Sequence, residues 1–480
     1  MTFQTSFFSL LVKEKMNKIL YIILSLLLFS LTMISCSPDD TEKVNEPVRK
    51  GGDAVNGVLD PVGEGINDGL DPVGEGINDG LDTVGDVVND GVGAITGDNT
   101  GGVGGSATNT NNQSQCTSVK TFHKNIYGKQ AKQTNDCGYI VAYNEKLTKL
   151  NEVGETKWET KITLKQRKHS NLGKPSVIQT RDGGYLYSDN YGIAKVSSSG
   201  DIEWTNKQFG DFEDVIEHSN GYFYVVSDDL VAHKSLAKVY KFSSKGKKVW
   251  IRRFGGSCSW EKLRSILETS DGELIIVGGK SHGNNKYPCT FEFYDDAWII
   301  KVDADKGGKI WEKTYGGRNF ERFEDIVKNP KGGYYAIGTE CNLKNPPWGG
   351  NLCASNMSAL WMKIDDSGNS LGKKRYTSGP NQTGFSITNT SSGGTAWVGL
   401  NKKKVGSTTL YRAVFYKLTG TKVNYSKIVD LGSGNATSIE LTKDGGFIIA
   451  AGKNVFKTDS DMKIPTLETV CYRSKKSLCP

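Results

Sequence analysis

Beyond residue 115 the apolar positions fall into short runs, each entered through a glycine turn: NDCGYIVAY, RDGGYLYS, SNGYFYVV, SDGELIIVG, KGGYYAIG, SGGTAWVG and DGGFIIAAG. The glycines that align are Gly138, Gly184, Gly221, Gly272, Gly333, Gly394 and Gly446, at intervals of 46, 37, 51, 61, 61 and 52 residues. Short runs rich in Val, Ile, Tyr and Phe behind a turn signal predict strands, and almost no stretch has helical periodicity. Two more segments recur between the turns. One reads GIAKVSS, KVYKFSS, AWIIKVD, LWMKIDD, RAVFYKL or NVFKTDS, the other KWETKI, EWTNKQFG, VWIRRFGG or IWEKTYGG. A glycine four residues before the tryptophan marks a tight turn between them: Gly154 and Trp158, Gly200 and Trp204, Gly246 and Trp250, Gly307 and Trp311.

Four short strands per unit, repeated seven times, predict an all-β fold, a seven-bladed β-propeller over residues 116–465, with a cysteine-containing tail at 466–480. The body opens at VKTFHKNIYG, which matches the last strand of the unit, and ends at NVFKTDS, which matches the strand before it. One blade therefore combines both ends of the body, which removes an exposed sheet edge. The tryptophans are assigned to packing between blades. The WIIKVD, WEKTYGG and DGGYIIAG-type segments resemble those of Bacteroidetes surface-exposed lipoproteins with propeller repeats, and the glycine–tryptophan spacing is similar to the tryptophan-docking repeat of quinoprotein propellers. That resemblance implies architecture; such families include adhesins, glycan binders, enzymes and scaffolds.

If the four strands of a unit alternate in direction, the tight glycine turns lie on one face of the ring and the remaining loops on the other. Every long insertion then falls on that second face: residues 255–262, 281–297 and 341–356. Parity also restricts the disulfides, because only cysteines on the same face can approach closely enough to bond. Eight cysteines remain once Cys36 is set aside, and the expected pairs are Cys116 with Cys137, Cys258 with Cys289, Cys341 with Cys353, and Cys471 with Cys479. Trp260, Tyr287, Phe293, Tyr294 and Trp348 lie in or beside these loops, near Arg318 of GGRNFER, and as a group they form the candidate ligand-binding site.

The start of the chain changes the picture of where this body resides. Met16 begins a segment with Lys18, an apolar run from Ile19 to Ile34 and then Ser35-Cys36, a secretory pattern over residues 1–35 with Met16 as the expected true start. An uncleaved anchor is the competing reading. Met33-Ile34-Ser35-Cys36 resembles a bacterial lipobox, which implies lipidation at Cys36. The following Ser37-Pro38-Asp39-Asp40 resembles the export signal of Bacteroidetes surface lipoproteins, which implies an outer-membrane anchor facing outward. Residues 36–115 carry 15 acidic and 3 basic side chains, and residues 116–480 carry 54 basic and 37 acidic ones, so an acidic stalk precedes a basic body. A basic surface favours polyanionic partners.

Within the stalk GVLDPVGEGIND, GLDPVGEGIND and GLDTVGDVVND repeat, with Leu59, Val62, Ile66, Leu70, Val73 and Ile77 in helical register. Three glycines and a proline per unit oppose a helix by roughly 6 kcal/mol, against three apolar side chains worth about 1.5 to 3 kcal/mol each only when fully buried. The segment is read as a flexible acidic spacer averaging about 50 Å end to end. Asp82-Thr83-Val84 resembles the Bacteroidetes O-glycosylation sequence, which implies Thr83 as an acceptor.

Chemistry-bearing motifs are sparse. With five His and no CxxC pair, no metal site is expected. DADKGG at 303–308 lacks the later acidic ligands of a calcium loop and is read as a solvated turn. The glycine–tryptophan spacing differs from the sialidase Asp box, and no GxSxG, HExxH or phosphate-cradling loop occurs. The expected function is a lipid-anchored cell-surface binder of polysaccharide or another extracellular ligand, anionic ones included, without a cofactor and with no specific role for nucleic acid. The alternatives are an envelope or secretion-machinery scaffold that docks a protein, and a polysaccharide-active enzyme whose carboxylates converge from separate blades.

Overall fold

The computed structural model describes residues 116–464 apart from 117, 119, 165–173, 209, 232–233, 256–260, 284–290, 318–319, 342–356, 378–380 and 433. The signal segment, Cys36, the spacer with its repeat, Thr83, and Cys258, Cys289, Cys353, Cys471 and Cys479 lie outside the described residues.

Twenty-eight strands, β1 to β28 in chain order, pair into seven four-stranded antiparallel sheets among the described residues. Blades 1 to 6 occupy residues 130–161, 176–207, 211–254, 261–315, 320–376 and 382–429. Blade 7 joins residues 436–458 to β1 (Phe122–Lys124), which pairs with β28 (Asn454–Thr458) through Phe122 opposite Lys457 and Lys124 opposite Val455. Both ends of the body therefore close the ring, as the repeat phase predicts. Blades 1 to 6 run outward in chain order, and blade 7 does so from β26 to β28 with β1 added outside, so the alternation of faces inferred from parity holds.

Seven buried apolar clusters fill the interfaces. That between blades 2 and 3 holds Leu186, Ile193, Phe212 and Tyr240, and that between blades 7 and 1 holds Ile448, Val455, Val141 and Leu150. Strands buried on both faces read as continuous apolar runs rather than alternating ones, which explains GYIVAY and GFIIAAG. The tryptophans add a contact from each of blades 1 to 4 to the next. A Cβ built on Gly200 would stand 2.8 Å from Trp158 Cδ2, one on Gly246 2.5 Å from Trp204 Cε3, and one on Gly368 2.7 Å from Trp311 Cζ3. Phe122 of β1 occupies the same place over Gly154, at 2.7 Å. The indoles also donate to the neighbouring turn, Trp250 Nε1 to Asp305 O at 2.8 Å and Trp158 Nε1 to Ser198 O at 3.2 Å.

The glycine turns share one hydrogen-bond pattern, and it corrects the sequence alignment by one residue. The left-handed position is Gly183, Gly221, Gly272, Gly332, Gly393 and Gly445 in blades 2 to 7, each with φ between 77° and 95° and its N–H bonded three residues back. In the Gly-Gly turns the aligned glycine thus lies one residue past that position. Blade 1 departs from the rule, because Cys137 takes the left-handed conformation with φ 63°. Its sulfur is bonded to Cys116, with the Cα atoms 5.4 Å apart. Cys341 is buried at the end of β19 (Tyr334–Cys341), on the face opposite the turns. Lysines of the third strands seal four of the turns: Lys149 to Asp136 at 2.9 Å, Lys195 to Asp182 at 2.8 Å, Lys301 to Asp271 at 2.6 Å and Lys457 to Asp444 at 2.8 Å.

Candidate functional site

The innermost strand of each blade lines a central channel: β2 (Gln130–Gln133), β6 (Ser176–Gln179), β10 (Asp211–Glu217), β14 (Glu261–Glu268), β18 (Phe320–Lys328), β22 (Gln382–Asn389) and β26 (Ala436–Leu441). Their register places one polar residue of every blade at a common level. Asp214 accepts from Ser176 Oγ at 2.9 Å and from Ser265 Oγ at 3.0 Å, and Asp325 accepts from Ser265 Oγ at 2.9 Å and Ser386 Oγ at 2.8 Å. Gln130 continues the ring by accepting from Ser176 Oγ at 3.3 Å, and Ser438 accepts from Ala131 N at 3.4 Å. Ile439 N, beside Ser438, donates to Ser386 Oγ at 3.3 Å and closes the circle.

The two aspartates are equivalent. Each also takes the N–H of the following residue and one from the next blade: Val215 and Ile266 for Asp214, Ile326 and Ile387 for Asp325, at 2.9 to 3.2 Å. Each carboxylate thus has two backbone N–H donors and two serine hydroxyls within reach, the single proton of Ser265 being shared between Asp214 and Asp325. Burial nevertheless pushes Asp325 above the usual carboxylate range, and Asp214 adds to the push while Lys174 opposes it. This ring is a clamp that joins blades whose residues lie 38 to 62 positions apart in the chain.

Five of the inner strands carry a β-bulge just before the ring, with Glu213, Arg264, Glu324, Phe385 and Thr437 as the extra residues. A bulge re-aims its side chain, and three of these meet across blades. Arg264 pairs with Glu213 through Nη1 and stands 3.7 Å from Glu324 Oε2 through Nε, while Arg322 Nε donates to Glu324 Oε1 at 2.7 Å. Burial raises Glu213 despite Arg264; burial also opposes ionisation of Glu324, but Arg322 and Arg264 outweigh it and hold that carboxyl low.

Toward the long-loop face, burial raises Asp228 and Asp295 and lowers Lys262, which is lowered further by Arg264 and Arg322. Beside them Glu321 is pushed up to about 7 by burial and by Glu340, whose own carboxylate is held low, against burial, by Arg375 and Lys373. A raised carboxyl beside an ionised one is a pattern that acid catalysis uses. Here the two residues are only 2 % and 1 % exposed, so the pair is sealed from any substrate.

Of the expected site residues, Trp260 directly precedes β14, Arg318 lies two residues before β18, Tyr287 falls between β15 (Leu274–Gly283) and β16 (Phe291–Val302), and Trp348 follows β19. Trp260, Tyr287, Arg318 and Trp348 lie outside the described residues. Phe293 and Tyr294 are described only as backbone of β16. In sequence the six flank or fall within β14, β16, β18 and β19, strands of blades 4 and 5, three of which carry Lys262, Asp295 and Arg322. The charged cluster itself escaped the sequence reading. Its signal was the innermost strand, FEDVI, LRSIL, FEDIV, GFSIT and ATSIE, in which a bulged residue and a ring residue recur side by side. The loop at 303–308 is a self-satisfied turn, with Asp303 Oδ1 accepting from the N–H groups of Asp305 and Lys306 at 2.8 Å. Among the described residues no group of three or more His, Cys, Asp or Glu could hold a metal ion.

The described residues thus define a seven-bladed β-propeller with a clamped polar channel and a charged mouth. Among solved structures the chain is similar to streptogramin B lyase, at 14% identity over 70% of this chain and 96% of that one, with a TM-score of 0.45. It is also similar to the extracellular domain of a hybrid two component system from B. thetaiotaomicron, at 10% identity, 70% of this chain and 39% of that one, TM-score 0.44. BamB from Moraxella catarrhalis matches at 11% identity, 68% and 80% coverage and a TM-score of 0.35. At these identities the likeness is one of fold. No protein-family model matches the chain, and no curated protein matches it.

Proposed function

We propose that this is a lipid-anchored binding protein of the outer cell surface, attached through Cys36 and held off the membrane by the acidic spacer, whose long-loop face on blades 4 and 5 takes an extracellular polysaccharide. The carrying observation is the asymmetry of the two faces. On the turn face repeated Lys–Asp pairs and short turns tie the blades down. The other face carries the ends of the blade 4 and 5 strands that hold Lys262, Arg264 and Arg322, and the segments bearing Trp260, Tyr287, Phe293, Tyr294, Arg318 and Trp348 adjoin or overlap those strands in sequence. Aromatic rings supply sugar-stacking area, and the neighbouring cations suit a saccharide that carries acidic groups.

Binding of the intact protein to an array of neutral and acidic glycans tests the proposal, with the Trp260→Ala/Trp348→Ala variant as comparison. Glycan binding that the double variant loses supports the reading. Full binding by the double variant, or no glycan bound while a membrane-protein complex co-purifies, replaces it with the scaffold.

A further inference from the structure

On the turn side of the polar ring the channel changes character. Two residues along each innermost strand the side chains sort into two arcs. Blades 2 to 5 contribute Ile178, Ile216, Leu267 and Val327, all apolar; blades 6, 7 and 1 contribute Thr388, Glu440 and Lys132, all polar. Together with the ring they enclose a cavity of ≈ 380 Å³ whose far end is lined by Glu268 and Lys328. Small-molecule sites run from roughly 300 to 1,000 Å³.

The polar arc is not satisfied by the protein. Glu440 takes the backbone N–H of Gln133, while its Oε2 is buried without a hydrogen-bond partner. Lys132 Nζ makes no hydrogen bond among the described residues; it is held in its charged form, against burial, by the fields of Glu440, Asp214 and Asp325. Thr388 Oγ1 accepts from Leu441 N at 3.2 Å, which leaves its hydroxyl proton unassigned. Lys132, Glu440 and Thr388 therefore line the lumen side by side, opposite four aliphatic side chains. Leaving such groups unpaired costs about 1–3 kcal/mol each.

From this geometry we infer that the turn-side half of the channel is a second binding site, separate from the long-loop face, for a neutral polyhydroxylated molecule of monosaccharide size. One hydroxyl of a vicinal diol accepts from Lys132 and the other donates to the Glu440 carboxylate, while the C–H face of the ring lies on the Ile178–Val327 arc. A free oxyanion fits less well, because Asp214, Asp325 and Glu440 already surround Lys132. A free cation fits less well because the charged Lys132 already lies in the field of Glu440, Asp214 and Asp325.

Saturation-transfer NMR on the full chain with D-glucose, myo-inositol and D-glucuronate as probes tests the site. Two variants address it. Lys132→Met removes the donor, and Glu440→Gln keeps an oxygen for the bond to Gln133 while removing the carboxylate's charge and one of its acceptors. Expected is a signal from glucose or inositol that weakens roughly tenfold or more in affinity in each variant, persists in Trp260→Ala/Trp348→Ala, and is accompanied by unchanged far-ultraviolet circular dichroism. No signal from a neutral probe at tens of millimolar, a signal from glucuronate alone, or equal binding by the folded variants overturns the inference. Loss in the tryptophan variant with retention in K132M and E440Q likewise overturns it, assigning the sugar to the long-loop face. Failure of polysaccharide binding to the long-loop face leaves these outcomes unaffected.

Discussion

Replacing Asp325 by alanine tests whether the polar ring clamps the propeller or merely decorates its channel. The carboxylate accepts from Ser265 and Ser386 of the neighbouring blades and from the N–H groups of Ile326 and Ile387, all at 2.8 to 2.9 Å. Alanine orphans two backbone donors at about 1–3 kcal/mol each. The hydroxyls can rotate to other acceptors and water can enter the adjoining cavity, which lowers the sum. The loss also relieves the burial that raises Asp325. The balance is a destabilisation of about 2 to 4 kcal/mol, read from the midpoint of urea unfolding followed by tryptophan fluorescence.

Two further signatures separate a clamp from a generic core defect. Because Ser265 can keep either Asp214 or Asp325 as acceptor and loses both only when both are gone, Asp214→Ala combined with Asp325→Ala should cost more than the sum of the single changes, by about 0.5 kcal/mol or more. A carboxyl raised in the folded state holds protons that the unfolded chain has released, so its contribution falls as pH rises from the unfolded pKa through the folded one. The penalty of D325A should therefore be larger at pH 4 than at pH 8. A single-variant loss below about 0.5 kcal/mol, or strict additivity in the double variant, would refute the clamp.

Glu321→Gln should remove a pH dependence of the same sign. With Glu321 raised to about 7, the wild type loses on the order of 2–3 kcal/mol between pH 4.5 and 7, and E321Q should flatten that fall when thermal unfolding is compared at pH 5 and pH 8. Gly246→Val places a branched side chain at φ 77° against Trp204. It should lower stability by about 2–4 kcal/mol in thermal melts, whereas the same change at Gly406, where φ is 59° and a Cβ meets nothing, should carry only the backbone penalty of about 1–2 kcal/mol.

The architecture was legible because its devices repeat with chemistry that only one local geometry allows. A glycine four residues ahead of a tryptophan, recurring blade after blade, announces an indole that needs a bare backbone beside it, and the structure shows Trp158, Trp204 and Trp311 meeting Gly200, Gly246 and Gly368. The aligned glycine falls one residue past the left-handed turn position wherever two glycines stand together, since composition does not tell which of a Gly-Gly pair closes the turn, and at Gly332-Gly333 both carry φ > 0. Cys137 at that position could not be foreseen, because a turn with cysteine in glycine's place reads as an ordinary break in the pattern. The channel was invisible for a different reason. Asp214, Ser265, Asp325 and Ser386 are small polar residues in separate strands, and they become a ring only when bulges and register align strands some fifty residues apart.

The bond between Cys116 and Cys137 has a mechanical consequence. The ring is closed by β1, only three residues long and lying on the outside of blade 7. Hydrogen bonds in a strand of that length would be undone one at a time by a pull on the N-terminal side. The disulfide lies upstream of β1 and hands such a pull to the first turn of blade 1, so the chain between Cys116 and Cys137, β1 included, sits in a slack loop off the line of tension. Any force applied from the N-terminal side of Cys116 is then borne by a covalent joint and the body of a blade, and the closing strand carries none of it. Reduction of that one bond would reroute the load onto the weakest seam of the ring.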